Sequence, residues 1–275
     1  MAQPIVARDA YLNTYFRDNH GFQPESDLGG VIVYRRTIVG QGVERIVVKH
    51  VEYEDQDEEI AAEEATLLKL WGSEHIIQLL SVVRDQQHRG YKWREPRNRA
   101  SQNPLPILPW KLHIDRQVYS DNLDFAFIVM EYLPRGSGFD LIMRCKDLGI
   151  NNISEPVLWF FFLCLTRACV GLNYPPNVSD RDPPAVARET LPPAYGRRRS
   201  KITHDDLHLG NIMFGDYDPR DIQPPCHQVT PTLKMIDFGI VETNNSVHSA
   251  QYFNIFAIAD VSSILFSQTA KQPLT

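Results

Sequence analysis

The stretch Ile202-Thr203-His204-Asp205-Asp206-Leu207-His208-Leu209-Gly210-Asn211-Ile212-Met213 constrains this chain more than any other feature. Asp206 stands five residues ahead of Asn211, and short apolar runs flank both, so one tight loop carries a proton acceptor and an oxygen ligand for a hard cation. Downstream, Leu233-Lys234-Met235-Ile236 reads as a short strand running into Asp237-Phe238-Gly239, which adds a second oxygen ligand at a strand end. Asp206 or Asn211 alone would pass for an ordinary turn former. Both stretches in this order suit a more specific chemistry. Mg²⁺ prefers hard oxygen ligands and takes only one or two from a protein, with phosphate and water completing its octahedron. Phosphoryl transfer otherwise asks for positioning, charge neutralisation and one carboxylate to take the proton of the accepting hydroxyl.

The chain ahead of this loop reads as a sheet with one helix. Gly29-Gly30 opens the strand Val31 to Arg36, and Val39-Gly40-Gln41-Gly42 turns it into a second strand, Val43 to Val51. Lys49 near its end would by itself be a snorkelling lysine. Asp55 to Trp71 has an acidic opening suited to a helix N-terminus and an apolar stripe through Ile60, Leu67, Leu68 and Trp71. Glu58, Glu59 and Glu63 read as its solvated face. Glu64 falls on the stripe, where a carboxylate needs a partner, and Lys49 is the candidate. Residues 1–27 form an N-terminal extension with Tyr11, Tyr15, Phe16 and Phe22 as anchors.

Residues 84–122, with Arg84, Arg89, Lys92, Arg94, Arg97 and Arg99, read as an inserted loop. Tyr91 and Trp93 interleave the charge as in a nucleic-acid patch, but so short a run reads better as a solvated insertion. A strand from Phe125 to Met130 enters Glu131-Tyr132-Leu133-Pro134. Helices follow at 139–148 and 154–172, the second opened by Ser154-Glu155-Pro156. Residues 175–200 and 216–230 lack periodicity and read as mobile surface loops, and Asn254 to Ser267 as an apolar helix.

Taken together, these motifs resemble the protein-kinase catalytic core. His204, Asp206 and Asn211 match the family's His-Arg-Asp…Asn loop, Asp237-Phe238-Gly239 its Asp-Phe-Gly, and Ile46-Val47-Val48-Lys49 its Val-Ala-Ile-Lys strand. Glu64 matches the helix-C glutamate, Met130 the gatekeeper, and Glu131 and Leu133 the hinge residues whose backbone faces adenine. The resemblance implies a two-lobed α+β fold: residues 28–133 as an N-lobe with a small antiparallel sheet and one main helix, and residues 134–275 as a mainly helical, truncated C-lobe. It implies ATP and Mg²⁺, with the nucleotide between the lobes. Asp206 is then the base, Asn211 and Asp237 the metal ligands, and the active-state ion pair joins Lys49 to Glu64.

Four departures shape that expectation. The glycine-rich phosphate loop is reduced to Gly29-Gly30; each lost charged-group hydrogen bond costs on the order of 1.5–3 kcal/mol. Asp205 stands where regulated kinases carry Arg, which removes the pocket for an activation-loop phosphate. His208 replaces the usual catalytic-loop Lys, which resembles aminoglycoside and choline phosphotransferases and divergent kinase-like proteins of filamentous fungi. No Ala-Pro-Glu follows Asp237. Three functions are therefore compatible with the sequence: transfer of the γ-phosphoryl group to a protein Ser/Thr hydroxyl, transfer to a small hydroxyl compound, or a pseudokinase scaffold. A C-lobe ending here would expose apolar faces of 154–172 and 254–267 for a protein partner to cover.

Composition adds limits. Net charge is −6 over 275 residues, so no global basic field recruits nucleic acid or an anionic membrane. The four cysteines show no metal-ligand spacing, and no secretory signal is visible, so a cytoplasmic or nuclear, reducing compartment is expected. The longest apolar run, Val157 to Leu165, is shorter than the roughly 20 residues that span a bilayer.

Overall fold

Alternating β-branched residues draw the first half of the chain into strands. A computed structural model describes residues 5–40, 42–50, 57–83, 127–150, 152–176, 186–192, 199–219, 221, 226–239, 241–243 and 246–267. The chain is α+β and divides into two compact units: one holds the described residues of 5–68 and 78–132, the other those of 69–77 and 133–267. The insertion expected at 84–122 lies outside the described residues, as do parts of 175–200 and 216–230.

In the first unit, helix α1 (Ile5–His20) precedes strands β1 (Gln23–Asp27), β2 (Val31–Ile38) and β3 (Gly42–His50). Helix α2 (Asp57–Leu70) and strands β4 (Leu79–Val83) and β5 (Phe127–Glu131) follow. The strands make one antiparallel sheet in the order β1-β2-β3-β5-β4. The described part of the 1–27 extension, residues 5–27, supplies an edge strand and a helix to this body. Leu12, Tyr15, Phe16 and Phe22 are buried against Ile32, Tyr34, Ile46, Val48, Phe127 and Val129, which share one face of the sheet. Tyr34 donates its hydroxyl proton to Asn13 Oδ1 at 2.8 Å, and His50 Nε2 lies 3.0 Å from Asp9 Oδ1. Because side chains alternate along β3, Lys49 points to the opposite face from Val48 and His50.

The second unit contains α3 (Gly138–Asp147), α4 (Glu155–Asn173), β6 (Ile202–His204), β7 (Ile212–Phe214), α5 (Cys226–Val229), β8 (Leu233–Met235), β9 (Val241–Thr243) and α6 (Val247–Ser267). Ser137 and Asp140 form a reciprocal capping box that starts α3. Two antiparallel ribbons, β6 with β9 and β7 with β8, complete this unit's sheet structure. Helix α6 begins seven residues ahead of the expected Asn254, because Ser246 Oγ accepts the Ser249 amide at 3.1 Å and supplies an N-cap. Asn254 is buried and ties α6 to β6: its Oδ1 accepts the His204 amide at 3.1 Å, and its Nδ2 donates to Ile202 O at 2.9 Å. Tyr252, Phe253, Ile255 and Phe256 of α6 are half-exposed or more.

Among the described residues only α4 is long and apolar enough to cross a membrane. Its Leu158, Phe161, Cys164, Leu165, Ala168 and Leu172 are buried within the second unit, whose other elements α6, β6 and β8 pack on it.

The segments read as mobile loops contribute buried polar structure where they are described. Arg188 pairs with the buried Asp221 and, at 3.2 Å, with Glu74, while His227 and Thr230 are fully enclosed. Their proline-rich, aperiodic sequence gave no sign of this, because isolated polar residues buried by mutual pairing leave no hydrophobic period.

Candidate active site

The stretch from Ile202 to Met213 starts at β6, rounds a 3₁₀ turn at Leu209–Asn211 and leaves along β7, while β8 carries the chain toward Asp237. Asn211 Nδ2 donates to Asp206 O at 2.8 Å and Asp206 Oδ2 at 3.2 Å. Both amide protons are thereby drawn to one side and Oδ1 faces the other, the orientation a cation ligand requires. The Ile236 amide donates to Asn211 O at 3.0 Å, which sets the residue before Asp237 against the residue beside Asp206.

His204 makes a second tie. It is buried, its Nε2 lies 2.9 Å from Ile236 O, and its ring packs on Phe238 at 4.9 Å between centroids. A carbonyl partner makes Nε2 the protonated nitrogen. Burial pushes the His204 pKa below the ordinary histidine value, against the hydrogen bond to Ile236 and the charges of Asp237 and Asp206, which raise it. Asp237 has φ +62, the only non-glycine residue with positive φ among the described residues. Asp tolerates that left-handed conformation better than most residues, and such outliers concentrate at functional sites.

Asp206 is half-exposed, and its Oδ2 is shared between Asn211 and, at 3.6 Å, His208 Nε2. Its Oδ1 is left to meet an incoming group. His208 uses Nδ1 to accept the Gly210 amide at 3.0 Å, capping the 3₁₀ turn, so its neutral form carries the proton on Nε2. A Cβ on Gly210 would lie 2.8 Å from His208 Cε1, so this cap needs glycine there.

In the first unit, Lys49 Nζ lies 2.7 Å from Glu63 Oε2. Glu63, read above as part of the solvated face, is buried, and so is Glu64, the partner expected for Lys49. Ile60 and Leu67 are seven residues apart on the buried stripe, and Glu63 and Glu64 stand at +3 and +4 from Ile60, flanking it on either side. The stripe alone could not choose between them.

Gly29 and Gly30, both at φ +71, form a two-residue hairpin turn between β1 and β2, closed by Leu28 N–H to Val31 O at 2.9 Å. A Cβ on Gly30 would meet His50 O at 2.9 Å. These glycines therefore serve the turn and the close approach of β3. Glu131 is tied to Gln78: its amide donates to Gln78 O at 3.1 Å and its Oε1 accepts the Gln78 amide at 2.7 Å. Leu133, in the second unit, is buried.

The chain matches no family model and no curated protein.

Proposed function

We propose that this chain is an ATP- and Mg²⁺-dependent phosphotransferase of the protein-kinase-like fold that moves the γ-phosphoryl group to a hydroxyl, with protein Ser/Thr as the acceptor class. The observation that carries this reading is the joining of two acidic loops: Asn211 holds Asp206 through its side chain and the Ile236 amide through its backbone, one residue before the left-handed Asp237. Three oxygen-bearing side chains are thus carried on connected turns that follow β6 and β8 and precede β7.

The donor set fits Mg²⁺, since Asn211 Oδ1 and the Asp237 carboxylate are the hard oxygens that ion prefers. When bound, Mg²⁺ supplies charge neutralisation for the phosphate oxygens. Asp206 Oδ1 orients the acceptor hydroxyl and takes its proton as the new O–P bond forms and the bond to the departing ADP oxygen breaks. His208 offers its Nε2 proton to a phosphate oxygen at the same edge, a neutral donor where the family uses a cation. In the first unit, Lys49 lies 2.7 Å from Glu63 and matches the lysine by which the family holds phosphates. The two-residue turn at Gly29-Gly30 lacks the amide donors of a longer loop, which predicts weak nucleotide affinity.

The test is calorimetric titration with ATP, with and without Mg²⁺, on the natural sequence and on Asp237→Asn and Lys49→Ala. Magnesium-dependent binding weakened by both substitutions, followed by transfer to a Ser/Thr peptide that falls about 10²- to 10⁴-fold in Asp206→Asn, is the expected result. No heat up to millimolar ATP from folded protein would overturn it and leave a scaffold.

A further inference from the structure

A second group of chemically capable side chains, none of them in the stretch from Ile202 to Met213, lies wholly within the second unit. His75 follows α2, Cys164 is on α4 and His227 on α5; all three are buried, and their ligand atoms lie within 4.8 Å of one another. The Nε2 atoms of His75 and His227 are 3.2 Å apart. Two imidazole nitrogens bound at 2.0–2.1 Å to one tetrahedral centre lie about 3.3 Å apart, so the rings already stand at the spacing of a shared ion.

The surroundings of His75 complete the pattern. Glu189 Oε2 accepts from His75 Nδ1 at 2.6 Å and its Oε1 accepts the His75 amide at 2.8 Å. A carboxylate that takes the Nδ1 proton leaves the lone pair on Nε2, which is how metal-bound histidines are commonly oriented. Burial, with the neighbouring His75, pushes the His227 pKa below the ordinary histidine value, which keeps a nitrogen lone pair available. The carboxylate side of His75 is a poorer place for an ion: 2.6 Å is a short hydrogen bond, and Glu74 is engaged by Arg188 at 3.2 Å.

We propose that His75, Cys164 and His227 form a buried site for one divalent transition metal, zinc by its mixed nitrogen and sulfur donors, with Glu189 orienting His75 from behind. Binding releases the Cys164 thiol proton to solvent and leaves the fourth position to water or another small ligand. The ion ties three stretches that are distant in sequence to one point, which makes it a structural clamp on this unit. The proposal is independent of the phosphotransferase reading.

The test is Co²⁺ titration of the full metal-stripped chain under reducing conditions, with Zn²⁺ competition and metal analysis of the protein as purified. About one Co²⁺ per chain is expected, with tetrahedral d–d bands and a thiolate-to-cobalt charge-transfer band, all displaced by Zn²⁺. The charge-transfer band disappears in Cys164→Ser and persists in a variant whose other cysteines are replaced (C145S, C169S, C226S). Glu189→Gln weakens the affinity about 10- to 100-fold with the spectrum retained. If Cys164→Ser does not fold, the charge-transfer band of the variant with Cys164 as its only cysteine decides the matter. Folded protein that takes up no Co²⁺, that gives only weak octahedral bands, or that loses the charge-transfer band while Cys164 remains would overturn the proposal.

Discussion

His204 donates from Nε2 to the carbonyl oxygen of Ile236 at 2.9 Å, so the residue that ends β6 also anchors the peptide before Asp237. Because burial lowers its pKa in the folded state, native protein declines a proton that the unfolded chain accepts. The stability this gives is whole above the unfolded value of about 6.5 and is lost as pH falls from there through the folded pKa. His20 and His227 act in the same direction. Urea midpoints measured from about pH 8 down to 5 should fall below about 6.5. His204→Gln keeps a donor for Ile236 but cannot titrate, so it should flatten the slope; an unchanged slope would assign the effect to other groups.

Asp237→Gly separates stability from chemistry. Glycine adopts φ +62 without the penalty of a side chain, which is worth about 1 kcal/mol. The variant should therefore unfold at the same or a higher denaturant midpoint while losing magnesium-dependent ATP binding. A clear drop in stability would mean that the Asp237 side chain holds the loop together.

The register of the lysine pair is open to a double-mutant cycle. Lys49→Met and Glu63→Gln should be non-additive by about 0.5–3 kcal/mol in unfolding free energy, as expected for residues in direct contact. Additive effects would show that the Lys49–Glu63 contact contributes nothing to folding.

Arg188→Ala removes the guanidinium that pairs with Asp221, whose side chain is 2% exposed. A buried carboxylate stripped of its partner destabilises by about 3–5 kcal/mol, and thermal unfolding should register it. Adding Asp221→Asn should recover part of the loss, since the remaining group is neutral and still accepts the His227 amide. Full stability in the single variant would show that solvent reaches the carboxylate.

What the sequence disclosed follows from how each feature is written in it. The α+β class and the positions of β2, β3, α3 and α4 rest on local periods and caps, which a single stretch carries complete. The loop of Asp206 and Asn211 is likewise contiguous. Glu63 reads as solvated because +3 and +4 positions flank the same buried line, and the packing of α2 buries both it and Glu64. The grouping of His75, Cys164, His227 and Glu189 was invisible because it joins single residues from four separate stretches. No spacing rule reaches across such distances. Tyr15, Phe16 and Phe22 were visible as anchors, but the surface they anchor to belongs to strands β2, β3 and β5.

That last arrangement bears on where this protein can be cut. The sheet face bearing Ile32, Tyr34, Ile46, Val48, Phe127 and Val129 is covered by aromatic residues that all precede Gln23. A recombinant chain begun at residue 28, where the first strand of the kinase-like pattern opens, would remove that cover and leave an apolar sheet wet. Limited proteolysis after His20 should have the same effect, so the first twenty residues belong inside any expression boundary drawn around the sheet.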